Sequence, residues 1–191
     1  METVAGNGVE QLVERLDRAI GAGSAEAIAS GVKQALSDAI RSGELRLPEA
    51  FRRPRPESYA RRLLHRDPAT GWTAVVMTWG PGQGTLLHDH AGIWCVEGVV
   101  EGEMEVVQYE LADEAEGRYR FAPRGRVRAL PGSSGALIPP FEYHVLKNAL
   151  PGATSVTLHV YGGEMDHCHV FEENGDGSYR KVERRLAYSP D

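Results

Sequence analysis

Residues 82–98 read GQGTLLHDHAGIWCVEG, and the reading of the whole chain turns on them. His88 and His90 are two apart, so on a strand both imidazoles project from the same face. Glycines surround the pair, and a third histidine, His144, follows in PPFEYH (139–144), after a Pro-Pro turn and at the head of another strand. Three neutral imidazoles suit a first-row divalent metal and leave positions open for exogenous ligands. An isolated HxH pair is more often incidental than metallic. Here the glycines, the third histidine and the β context favour a metal.

On either side of this stretch the chain is punctuated for short strands. From Ser58 onward, β-branched and aromatic segments alternate with Gly, Pro and Asp. They predict strands at 59–65, 72–79, 85–88, 93–100, 104–111, 118–121, 126–129, 136–138, 144–148, 155–161, 167–172 and 179–184. That spacing implies a sandwich or barrel. The first fifty residues differ. Val9, Leu12, Val13, Leu16 and Ile20 recur at three- and four-residue steps, which predicts a helix. A second helix is predicted with Ser24 as its N-cap, Ile28, Val32, Leu36 and Ile40 inward, and a stop at Gly43. The prolines between 48 and 56 then break the helical pattern. The expected organisation is a helical layer, 1–50, packed on a β-domain, 51–191.

Composition sets the remaining bounds. The 191 residues suit one domain, with 41% hydrophobic and 25% charged residues as in ordinary globular chains. A formal charge of -6 argues against a nucleic-acid or anionic-membrane surface as the main partner. The arginines of FRRPRPESYARRLLHR (51–66) are too local to change that. No run approaches the roughly 20 apolar residues that a bilayer span needs. The acidic, amphipathic start METVAGNGVEQLVERL is unlike a secretory leader, so a cytoplasmic location is expected. Two cysteines, Cys95 and Cys168, make neither a disulfide scaffold nor a CxxC zinc site.

The pattern G-x5-HxH, followed by a glycine-bounded hairpin and a later Pro-rich turn with histidine, resembles the cupin metal motifs. Ordinary cupins place a glutamate four to five residues after HxH, where this chain has Cys95. Glu97 shares the strand parity of Cys95, which leaves a shifted glutamate ligand as an alternative. The chain is more similar to the cysteine dioxygenase family of thiol dioxygenases, over roughly residues 55–185. YARRL (59–63), WGPGQGTLLHDH (79–90), the five-residue step from His90 to Cys95, and TLHVYGGEMDHCHVF (157–171) carry the resemblance in sequence order.

The resemblance implies an all-β, jelly-roll-like cupin barrel with an N-terminal helical layer, and Fe(2+) held by His88, His90 and His144. It implies that Arg61 binds the substrate carboxylate, for which a guanidinium fork is well matched. Tyr59 shares the face of Arg61, whereas Arg62 alternates to the other face and is expected at the surface. Tyr161 would donate a hydroxyl over the substrate, and Thr157, His159 and Tyr161 share parity for a relay. Cys95 is either a thioether partner of Tyr161 or a small buried thiol. His167 and His169 form a second HxH without a third ligand, so no metal is expected there, with Cys168 near the pocket entrance. Gly162-Gly163 departs from the animal relatives and leaves the backbone beside the site open.

The implied reaction is oxidation of L-cysteine to cysteine sulfinic acid with O2. The alternatives are a dioxygenase for 3-mercaptopropionate or mercaptosuccinate, a zinc or manganese isomerase, and a metal-binding cupin module without turnover. The partners implied are a small thiol and O2, with no nucleic acid and no membrane, in a monomer or small homo-oligomer.

Overall fold

The computed structural model describes residues 2–3, 8–21 and 23–190; positions 1, 4–7, 22 and 191, including part of the acidic N-terminus read above, lie outside them. The chain folds as a β-barrel with two helices on one side. The strands are β1 (Glu2–Thr3), β2 (Ala60–Arg66), β3 (Thr73–Trp79), β4 (Leu87–His88), β5 (Cys95–Glu101) and β6 (Met104–Ala115). They continue as β7 (Arg118–Ala129), β8 (Ser134–Leu137), β9 (His144–Asn148), β10 (Ser155–Tyr161), β11 (His167–Glu173) and β12 (Tyr179–Arg185). One sheet runs β1-β2-β3-β10-β5-β8. The other runs β11-β12-β7-β6-β9-β4 and closes through the β4–β11 pairing.

The helices are α1 (Val9–Ile20) and α2 (Ala25–Arg41). Ser24 caps α2 as its spacing predicted, accepting a hydrogen bond from Ala27 N at 3.4 Å. Gly43 follows the helix in the left-handed region at φ 71°. α2 lies on β5 and β8, where Gly98 leaves room for Leu36 and Ile40, and Ser37 shares a 2.6 Å hydrogen bond with Ser134.

Period-two alternation then sorts the first sheet into two cores. On β10, Val156, Leu158 and Val160 turn to the helices, while Thr157, His159 and Tyr161 turn into the barrel. β3 alternates likewise, Ala74 and Val76 outward against Val75, Met77 and Trp79 inward. Full burial of an aliphatic side chain contributes about 1.5–3 kcal/mol, so the helical layer makes the outer face of this sheet a second apolar core. The barrel interior can therefore carry polar groups.

Two expectations change. The separate strands predicted at 118–121 and 126–129 are one strand, β7. Pro123 sits opposite Tyr109 beside a bulge in β7 itself, where Arg124 has no cross-strand partner and a missing N–H is tolerated. Arg62 does alternate away from Arg61, yet it is buried rather than at the surface. Its cross-strand partner, Val76, lies in the core under the helices, so that face of β2 is covered.

Candidate metal centre and substrate pocket

β4 is short, and its neighbours bring the histidines together. His88 faces His144 across the β4–β9 pairing, and the two ring centroids are 4.3 Å apart. The approach needs Gly84, because a Cβ there would stand 2.6 Å from the Leu146 carbonyl oxygen on β9. Ring centroids of His90 lie 5.0 Å from His144 and 5.4 Å from His88. One ligating atom from each of the three falls within 4.8 Å of the others, and no further group of this kind is found among the described residues.

The hydrogen bonds prepare these rings for a metal. His144 Nδ1 sits 2.8 Å from the Glu142 carbonyl oxygen and His88 Nδ1 sits 3.0 Å from that of Leu86. A carbonyl only accepts, so each Nδ1 carries the proton and each Nε2 keeps its lone pair. His144 Nε2 and His90 Nδ1 are buried without a hydrogen-bond partner. Such orphans are costly unless something binds them. Burial, followed by mutual repulsion, holds His90 and His144 well below the usual imidazole range, so both are neutral and free to offer a lone pair. The donor set fits a divalent transition metal.

Glu142, which the sequence reading passed over, supports two ligands at once. Its carbonyl oxygen accepts a hydrogen bond from His144 Nδ1 and its carboxylate accepts from His90 N at 2.8 Å. The available signal was its parity with His144 in PPFEYH. Glu97, the alternative ligand, falls outside the three-histidine cluster. Its Oε2 lies 3.7 Å from His144 Nε2 and 3.5 Å from His159 Nδ1. Burial pushes the Glu97 carboxyl up to about 8 and, with Arg61 and His88, takes His159 down to about 3. Both are neutral at neutral pH, so this is no ion pair.

The relay residues form a hydrogen-bonded chain. Trp79 Nε1 donates to Thr157 Oγ1 at 2.9 Å, and Thr157 Oγ1 is 2.8 Å from His159 Nε2. Indole only donates, so the threonine oxygen accepts from Trp79 and shares a second hydrogen bond with His159 Nε2, whose direction follows the His159 tautomer. The Tyr161 ring stacks parallel to His159 at 6.1 Å and meets His90 edge-on at 5.7 Å. Burial, then Cys95, pushes the Tyr161 hydroxyl well above its ordinary value, so it stays a proton donor. Cys95 faces Tyr161 in the β5–β10 register.

Tyr59, Arg61, His88, His90, His144 and Tyr161 all border one small cavity of about 30 Å³. Tyr59 stacks on Trp79 with centroids 4.4 Å apart. Arg61 is buried, with its Nε unpartnered. A wider mouth of about 330 Å³ adjoins the cavity, and Tyr59, His88, Cys168 and Leu186 border both. Cys168 is thus at the entrance. In the second HxH, His167 pairs with Asp166 at 2.7 Å and His169 with Asp89 at 2.9 Å. Gly162 is required locally: a Cβ there would meet the Trp94 indole at 2.4 Å.

The sequence profile of the family "Cysteine dioxygenase type I" matches residues 25–174. Curated relatives include cysteine dioxygenase type 1 of Rattus norvegicus and of Homo sapiens, each 25% identical over 117 residues. These alignments cover 60% of this chain and 56% of the relative, so the chain spans little more than half the length of the curated proteins it matches. Among solved structures, a Klebsiella pneumoniae protein with a double-stranded β-helix domain aligns with a TM-score of 0.45 at 19% identity, over 63% of this chain and 85% of that one. No helix among the described residues is long and apolar enough to cross a membrane.

Proposed function

Since the chain belongs to the cysteine dioxygenase type I family, we propose that it is an iron-dependent thiol dioxygenase converting L-cysteine and O2 to cysteine sulfinic acid. Both oxygen atoms end on sulfur, so the reaction needs no external reductant. The observation that carries this reading is one pocket bordered by three neutral imidazoles, a buried arginine and a buried tyrosine hydroxyl.

His88, His90 and His144 would hold the ferrous ion. When bound, the ion supplies Lewis acidity and the electrons by which sulfur and dioxygen are brought to react. The protein's part is charge and position. Three neutral ligands leave the ion's charge uncompensated, which favours a substrate that arrives as a thiolate. Arg61 offers its free Nε–H and its remaining edge to a carboxylate. Tyr161, kept protonated by burial, donates toward the reacting oxygen, and Thr157 with His159 fixes the neighbouring hydrogen bonds. The aliphatic and aromatic walls exclude bulk water. We place this activity in the cytoplasm, on a small thiol and O2, without nucleic-acid or membrane partners.

A second thiol acid is favoured by one feature. Arg184 borders the mouth, and although it pairs with Glu172 at 3.1 Å it gives a second guanidinium near the pocket. Mercaptosuccinate, with two carboxylates, could use both arginines. Oxygen uptake by iron-loaded protein with L-cysteine, 3-mercaptopropionate and mercaptosuccinate tests the choice. The fastest turnover is expected with L-cysteine. Uptake only with another of the three transfers the assignment to that thiol, and uptake with none supports a cupin module without turnover.

A further inference from the structure

Segment 186–189, which follows β12, closes over Arg61. Ser189 N donates to the Arg61 carbonyl at 2.6 Å, and Arg61 N donates to Ser189 Oγ at 3.0 Å. Leu186 N donates to the Asp166 carbonyl at 2.7 Å, and the Leu186 side chain borders the pocket and its mouth. These bonds pin the backbone on either side of Tyr188. The Tyr188 ring then lies under the Arg61 guanidinium, 5.6 Å from Cζ to the ring centroid. Its hydroxyl donates to Glu164 Oε1 at 2.6 Å, while Glu164 Oε2 takes two N–H groups of Arg66 at 2.8 and 2.7 Å.

A guanidinium has five N–H donors around its edge and a π-face that uses none of them. Arg61 spends one donor on the Met165 carbonyl at 3.1 Å and one on the Ala187 carbonyl at 3.4 Å. Holding the group by its face keeps the rest of the edge available to a carboxylate. A ring that is itself clamped also removes stem freedom that a ligand would otherwise have to freeze.

We propose that Tyr188, clamped by Glu164, is a positioning residue for Arg61 and sets the pocket's selectivity for thiols that carry a carboxylate. This rests on the reading of Arg61 as the carboxylate anchor. Tyr188 touches no reacting atom; it acts through Arg61.

The test is anaerobic calorimetry of iron-loaded protein with L-cysteine and with cysteamine, the same aminothiol without its carboxylate. Tyr188→Ala is expected to weaken L-cysteine binding about five-fold, leave cysteamine unchanged, and raise KM for L-cysteine at constant kcat. Tyr188→Phe keeps the ring but loses Glu164, so it should fall between wild type and Tyr188→Ala. It also carries the test if the alanine variant melts early. A variant that keeps the wild-type preference, or loses affinity for both thiols equally, overturns the role of Tyr188 alone. A wild-type protein without preference between the thiols overturns Arg61 as the anchor, and this inference with it.

Discussion

Cys95 and Tyr161 stand directly opposite each other in the β5–β10 pairing, both turned into the barrel. Directly opposed residues on one sheet face have Cβ atoms about 4.5–5.5 Å apart, within reach of a bond from sulfur to the ring. Forming that thioether breaks the S–H bond and one ring C–H bond and releases two protons and two electrons, which dioxygen would accept as it becomes hydrogen peroxide. Protein turned over with iron and thiol should contain a fraction lighter by two hydrogens, with the Cys95 and Tyr161 peptides joined. Cys95→Ser should contain none. A wild-type sample whose Cys95 is fully alkylated after unfolding contradicts the link.

Glu142 supports His90 and His144 without binding metal itself, so its loss should be read in affinity. Residues of this kind typically contribute 10- to 100-fold. Glu142→Ala is expected to weaken iron binding about ten-fold, measured by competition with a chelator, while Glu142→Gln keeps the acceptor and most of the affinity. Equal affinity in wild type and the alanine variant would remove Glu142 from the account.

Thr157→Val keeps the shape and deletes the hydroxyl. It leaves Trp79 Nε1 and His159 Nε2 buried without their partner, at a cost of about 1–3 kcal/mol. Urea unfolding should register that loss, and Thr157→Ser should restore it. An unfolding midpoint unchanged in Thr157→Val would mean that the chain Trp79–Thr157–His159 is not formed.

Burial pushes the Cys168 thiol up to about 11, ahead of the repulsion from Asp89. The thiolate is the nucleophile, so alkylation of native Cys168 should be slow near neutrality and rise as pH climbs toward 11. Because the neutral thiol is the form the fold favours, folding stability from this group is present below the ordinary thiol value and lost above it. Rapid labelling at neutral pH would contradict the buried entrance position.

Much of this is legible in the sequence. Parity placed His88 with His90, Arg61 with Tyr59, and Thr157 with His159 and Tyr161, because strand alternation is local and strict. Resemblance supplied the pairing of Cys95 with Tyr161. What escaped is set by contacts distant in sequence. The burial of Arg62 depends on the core beneath the helices, and continuity of β7 through Pro123 depends on a bulge at Arg124 in its pairing with β6. The cover of Arg61 by Tyr188 joins positions 127 residues apart (188 − 61) and leaves no periodic mark. Glu97 had the right parity but not the position of a ligand.

The central claim is that the chain places both atoms of dioxygen on a thiol sulfur. The most direct measurement is mass spectrometry of the product formed from L-cysteine under ¹⁸O-labelled dioxygen by the iron-loaded protein. Cysteine sulfinate carrying two labelled oxygens is the predicted result. Formation of disulfide alone, or sulfinate whose oxygens come from water, would contradict it.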